Sequence, residues 1–180
     1  AEIEEIITEI NTSESLTDEQ KEALAKPLKD AMKELKDNPS VEGAVSTLVS
    51  TSEELKALSD QQALQTQQSL TETGSSLASQ EGSPLEAVGK DLAKGNFADA
   101  ASELANMDLS QMTPEQLQKL AEQLEAMASS LAATNPELAQ QLMDAAQAIR
   151  SGDMAAAQQA MSSAASQMVQ AGQQITAAQM

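Results

Sequence analysis

Leu117, Leu120, Leu124, Met127 and Leu131 follow one another at alternating intervals of three and four residues. That spacing lays apolar side chains along one stripe of an α-helix. Directly before them stands Thr113-Pro114-Glu115-Gln116: an N-cap Thr, a Pro at the first helical position and a Gln that reaches back to complete a capping box. The same grammar recurs downstream. Asn135-Pro136 opens a seam of Leu138, Leu142, Ala145 and Ile149; Gly152-Asp153 closes it and caps a third seam of Met154, Ala157, Met161, Met168 and Ile175. Three seams joined by short turns predict antiparallel helices packed as a bundle over about 113–178.

Upstream, Ser83-Pro84-Leu85-Glu86 reads as another capping box with Pro first. The helix it opens stops at Gly95, and Asn96 caps the next, which holds Phe97, Ala100, Ala101 and Leu104. Gly95-Asn96-Phe97-Ala98-Asp99-Ala100 and Gly152-Asp153-Met154-Ala155-Ala156-Ala157 share a Gly, an Asn or Asp cap, a large apolar residue and an Ala three further on. The pair resembles the inter-helix turn of tetratricopeptide hairpins, where Gly ends one helix and a small Ala lets the two approach. The two turns lie 57 residues apart, against a repeat of about 34 in that family, and the family's Trp, Tyr and Leu-Gly positions are missing. The resemblance implies a tight helical hairpin and no family membership.

The N-terminal part is less regular. Ile3, Ile6, Ile7 and Ile10 form one apolar helical stripe between glutamates, short enough to read as the end of a longer helix or as a partner-docking helix. After the polar break Asn11–Ser15, Thr17 and Gln20 cap a helix that turns Leu24, Leu28, Met32 and Leu35 inward. Pro27 inside it predicts a kink, or a true start near Lys26. Lys29, Lys33 and Lys36 suit the negative end of the helix dipole, and Asp37-Asn38-Pro39 is the turn. Val41 to about Ser79 reads as one long helix with Val41, Val45, Leu48, Leu55, Leu70 and Leu77 as its seam. Gln61–Ser69, and Gly74 with the Ser pair after it, weaken that pattern. A span of roughly 60 Å invites a break. Ser79–Ser83, with Gly82, is the best linker. The expected architecture is all-α, an antiparallel bundle of helical hairpins with coiled-coil-like seams and about six to eight helices. It divides into an N-terminal helical segment over 1–80 and a C-terminal bundle over 83–180, as two domains or one packed body.

Large apolar residues other than Ala number 41, beside 32 Ala and 21 Gln. That suits long helices around a thin core, with Met filling irregular gaps and modest stability for the size.

The same composition removes most chemistry. There is no Cys, His, Trp or Tyr, and Phe97 is the only aromatic ring, so thiol nucleophiles, imidazole bases and Cys or His metal ligands are missing. Paired carboxylates (Glu4-Glu5, Glu53-Glu54, Glu122 with Glu125) fall on polar helix faces, where solvated surface is the ordinary reading. No loop carries the alternating ligands of a calcium site. Gly89-Lys90 and Lys94-Gly95 follow no strand and make no phosphate loop. Ser13, Ser15, Ser50, Ser52, Ser59 and Ser83 lack a Lys three residues on. The expectation is a non-enzyme with no catalytic residue, no metal and no cofactor.

Only ten Lys and Arg stand against 28 Asp and Glu, a net charge of −18. This disfavours nucleic acid and anionic membranes as partners. The charge-free run Met154 to Met180 carries seven Gln and cannot serve as a membrane span. Without cysteine the redox compartment is unreadable, so secreted and cytoplasmic locations are both allowed. A start at Ala1 fits a mature form after signal removal or a fragment of a longer protein.

The leading expectation is therefore a structural, assembly or spacer module of a larger, bacterial-type protein. Its partners would be proteins: a second copy, giving an oligomer, or another helical or basic chain, met through Ile3, Ile6, Ile7 and Ile10. The alternative is a helical-hairpin module that binds a protein or peptide with an acidic surface. A third reading is a secreted, export-competent helical protein, since the composition is similar to flagellar and type III secreted helical proteins in its lack of Cys and Trp.

Overall fold

The computed structural model of the chain describes residues 2–13, 16–37 and 40–179. They form α1 (Glu2–Thr12), α2 (Asp18–Asp37), α3 (Val41–Ala78), α4 (Glu86–Ala93), α5 (Phe97–Ala105), α6 (Pro114–Leu131), α7 (Pro136–Ser151) and α8 (Met154–Ala178). A 3-10 turn, Leu109–Gln111, precedes α6, and no strand occurs among the described residues. The all-α expectation holds, at the upper end of the expected helix number. Ser15 at the end of the expected polar break, Asn38 and Pro39 of the expected turn, and Met180 at the end of the charge-free run lie outside the described residues. The chain divides into two compact units, Ala1–Gln62 and Ala63–Met180, with the division inside α3. Ser79–Ser83, the expected linker, is a turn within the second unit, between α3 and α4.

The second unit is built on the sequence's best seams. α4 packs on α5, α5 on α8, α8 on α7 and α7 on α6. Leu120, Leu124, Met127 and Leu131 of α6 are buried together with Leu138, Leu142 and Ile149 of α7 and Met161, Met168 and Ile175 of α8. Met154 is partly buried against the same core. The caps form as their sequences dictate. Thr113 Oγ1 accepts from the Gln116 amide and Gln116 Oε1 accepts from the Thr113 amide; Asn135 Oδ1 accepts from the Leu138 amide, and Asp153 Oδ1 from the Ala156 amide. Arg150 closes the α6–α7 pair by donating to Glu125 across 2.8 Å.

The two Gly turns are alike in backbone. Gly95 and Gly152 have φ of 77° and 79°, left-handed values that an L-residue rarely adopts. In each turn the next residue's amide reaches back five residues, Asn96 to Asp91 and Asp153 to Ala148, which satisfies helix-end carbonyls in a Schellman motif. Asn96, however, caps by position only, because its side chain accepts no hydrogen bond from α5.

One local expectation is corrected upstream. The capping box at Ser83-Pro84-Leu85-Glu86 does not form: α4 begins at Glu86, and the buried Ser83 Oγ has no partner. Glu86 instead takes the Gly82 amide at 2.6 Å and the Lys90 ammonium, and those contacts hold its carboxyl below its ordinary pKa. α3 is the one long helix that the sequence predicts, and its Gln-rich stretch hides a seam of small residues. Ala63, Thr66, Leu70, Thr73 and Leu77 are all buried, at three- and four-residue intervals. Gly74 belongs to that packing as well, pressed against α4 at Gly89.

In the first unit, α1 packs on α2. Thr17 and Gln20 form the expected capping box, and α2 continues through Pro27, so a start at Lys26 is not what occurs. The apolar core is small: Ala25, Pro27, Leu28 and Ala31 of α2 are its buried apolar side chains among the described residues. α3 does not turn its expected seam inward here. Thr47 and Thr51 are buried while Val45 and Leu48 are exposed. A buried Thr is tolerable on a helix because its hydroxyl can bond back one turn, and Thr51 Oγ1 donates to the Thr47 carbonyl at 2.8 Å. The side chain of Val41 lies outside the described residues.

Candidate interaction surface

The four isoleucines of α1 do not share one fate. Ile3, Ile7 and Ile10 are half-buried, whereas Ile6 is 44% exposed. With α1 laid on α2, most of the stripe is already engaged, and Ile6 is what remains of it toward solvent.

A larger apolar surface lies on α3, where the sequence seam was expected to be core. Val45, Leu48 and Val49 are 56%, 51% and 52% exposed. They stand at i, i+3 and i+4, so they share one helix face. Gly43 to Ser52 carries no charge, in a chain of net charge −18. Carboxylates bound the stretch at both ends: Glu42 on one side, Glu53 and Glu54 on the other, all exposed. None of the three pairs with a cation among the described residues. Glu42 and Glu53 are separated by about 16 Å along the axis at 1.5 Å per residue.

Elsewhere the exposed large apolar side chains among the described residues are Leu64, at 47%, and Met143, at 39%. The dozen largest side chains with almost no exposure, Leu70 to Met168, all belong to the second unit. Its hollows are open surface features. One of about 270 Å³ lies between α3 and α6, where the buried Gln123 donates to Gln80 at 2.8 Å while its own amide oxygen has no partner. Another, of about 510 Å³, lies beside Phe97, whose ring fills the space left by the missing side chain of Gly172. A hollow of about 500 Å³ in the first unit lies between α2 and α3, floored by Pro27 and Leu58.

The carboxylate pairs occupy helix surfaces. Glu4, Glu5, Glu53, Glu54 and Glu122 are exposed; Glu122 accepts from Gln118, and the half-buried Glu125 pairs with Arg150. Among the described residues no three acidic side chains converge as a metal-holding group, and no helix is long and apolar enough to cross a membrane. Gly89-Lys90 lies inside α4, with the glycine buried, and Lys94-Gly95 forms a hairpin turn.

No family model, curated protein or solved structure matches the chain.

The α3 face was missed as a surface because its Val and Leu spacing is that of a core seam. The available signal was the pair of threonines at i and i+4, Thr47 and Thr51, which compete for burial from the opposite side of the helix.

Proposed function

We propose that the protein is a non-enzymatic helical assembly or spacer module that acts through helix-to-helix contacts made by its first unit. The observation that carries this reading is the exposed Val45–Leu48–Val49 face of α3, in a molecule whose other large apolar side chains are mostly enclosed. Contiguous exposed apolar residues mark interaction sites far more often than scattered ones. Support also comes from the chemistry at hand: hydroxyls, amides and solvated carboxylates, with no thiol or imidazole to act as nucleophile or base near neutral pH.

The test is the mass and shape of the whole chain in solution, by light scattering with small-angle scattering. An elongated or self-associating particle supports assembly. A compact monomer at all concentrations favours a second reading, a peptide-binding module, for which the carboxylates bounding the α3 face are the specific observation.

A further inference from the structure

The exposed face of α3 has a charge pattern as well as an apolar centre, and that pattern selects its occupant. We infer that residues 42–53 of α3 receive an amphipathic partner helix with aliphatic residues at its centre and Lys or Arg at both ends. The inference rests on the proposed helix-docking role and names the chemistry of the partner.

Three observations lead there. Val45, Leu48 and Val49 form an i, i+3, i+4 triplet that another helix can cover. Glu42 and Glu53 stand beyond its two ends, exposed and without a cation, the neighbouring Lys56 being paired with Asp60. The ten residues from Gly43 to Ser52 are uncharged, so charge recognition is confined to the ends. A partner with basic residues about three turns apart, roughly 16 Å, meets both carboxylate positions while its centre covers the aliphatic triplet.

A second copy of this chain fits less well. Two α3 faces pairing antiparallel about Leu48 bring Glu42 of each copy near Glu53 of the other, and like charges so placed repel. An anionic membrane surface is repelled by the net charge of −18. Glu42 has a local role too, since it lies in the first turn of α3, where the helix dipole favours a carboxylate. Glu53 has no such role, and its variant isolates the docking contribution.

The experiment titrates the whole chain with a labelled synthetic helical peptide carrying Leu at i, i+3, i+4 and i+7 and two Lys at each end, followed by fluorescence anisotropy. A peptide with Glu in place of Lys and a scrambled peptide of the same composition are the comparisons. Binding of the Lys-flanked peptide alone is expected. V45S/L48S/V49S should weaken it at least tenfold, equal to about 1.4 kcal/mol, and E53Q and E42Q/E53Q severalfold, with a flatter salt dependence. Circular dichroism verifies that each variant keeps its helix content, and Leu48→Ala replaces the triple variant if that one unfolds. Binding that the apolar variants leave unchanged, or that the scrambled peptide matches, overturns the inference and takes the docking reading with it. Loss with the apolar variants but indifference to the Glu variants, salt and peptide charge overturns the basic partner and leaves helix docking standing. A dimer in sedimentation that Leu48→Ala abolishes names a second copy as the occupant and overturns the inference too.

Discussion

Gly74 of α3 and Gly89 of α4 meet so closely that neither position has room for a β-carbon. One built on Gly74 would lie 2.5 Å from the Ala93 nitrogen and the Leu92 β-carbon; one on Gly89 would lie 2.6 Å from the Ala78 nitrogen and the Leu77 β-carbon. The contact is reciprocal because the sequence around it is. Leu70, Gly74, Leu77 and Ala78 recur fifteen residues later as Leu85, Gly89, Leu92 and Ala93, and both Gly-Leu pairs are buried at the crossing.

Gly74→Ala and Gly89→Ala are therefore each expected to destabilise the second unit by about 1–3 kcal/mol, as overpacking does. This is despite the roughly 1 kcal/mol by which Ala outperforms Gly in a helix. The atoms in the way are backbone and β-carbons, which cannot swing aside. Thermal unfolding of the two single variants and the double variant checks this, and the two effects should not add, because the residues share one contact.

Apolar residues of similar size should separate sharply by position. Leu124→Ala leaves a cavity in the α6 seam, where Leu124 is fully buried, and should cost about 2–5 kcal/mol. Leu48→Ala, on the open face of α3, should fall within about 0.5 kcal/mol of the parent. Denaturant unfolding of both variants measures the contrast.

Much of that contrast was hidden in the sequence. The bundle of α6, α7 and α8 was legible because Leu and Met seams, Pro starts and Gly stops all agree there. α3 was not, since Val45 and Leu48 have the spacing of a seam, whereas the burial goes to Thr47 and Thr51. Threonine is read as polar, yet its methyl packs and its hydroxyl is satisfied one turn back. Gly74 reads in sequence only as a weak helix end, because a glycine in sequence does not reveal what presses against it. The turn before α4 misled for a third reason. Ser83 and Glu86 match a capping box, but Glu86 finds Gly82 and Lys90 instead.

That turn yields a test by substitution. Thr113→Ala removes a working cap from α6 and should cost about 0.5–2 kcal/mol. Ser83→Ala should be neutral or slightly stabilising, because it deletes a buried hydroxyl that bonds nothing. Chemical unfolding of the two variants against the parent decides it.

It also responds to pH. Glu86 is held below its ordinary pKa, first by the Lys90 ammonium and then by the Gly82 amide, so its contribution is present above the unfolded carboxylate's pKa. It is lost as pH falls below the unfolded carboxylate's pKa and through the lowered folded value. Lys90 is raised by the same pair, so its share is full below the ordinary lysine range and lost as pH rises through the raised value. The Gly82 amide resonance should follow the Glu86 carboxyl titration in the acid limb, and Glu86→Gln should remove that movement.

The most direct measurement on the central claim is hydrogen exchange by mass spectrometry on the whole chain, with and without the Lys-flanked helical peptide. Docking on the open face of α3 predicts slowed exchange over 42–53, with the amides of α6, α7 and α8 unchanged. Protection confined to the second unit, or no protection at saturating peptide, contradicts it.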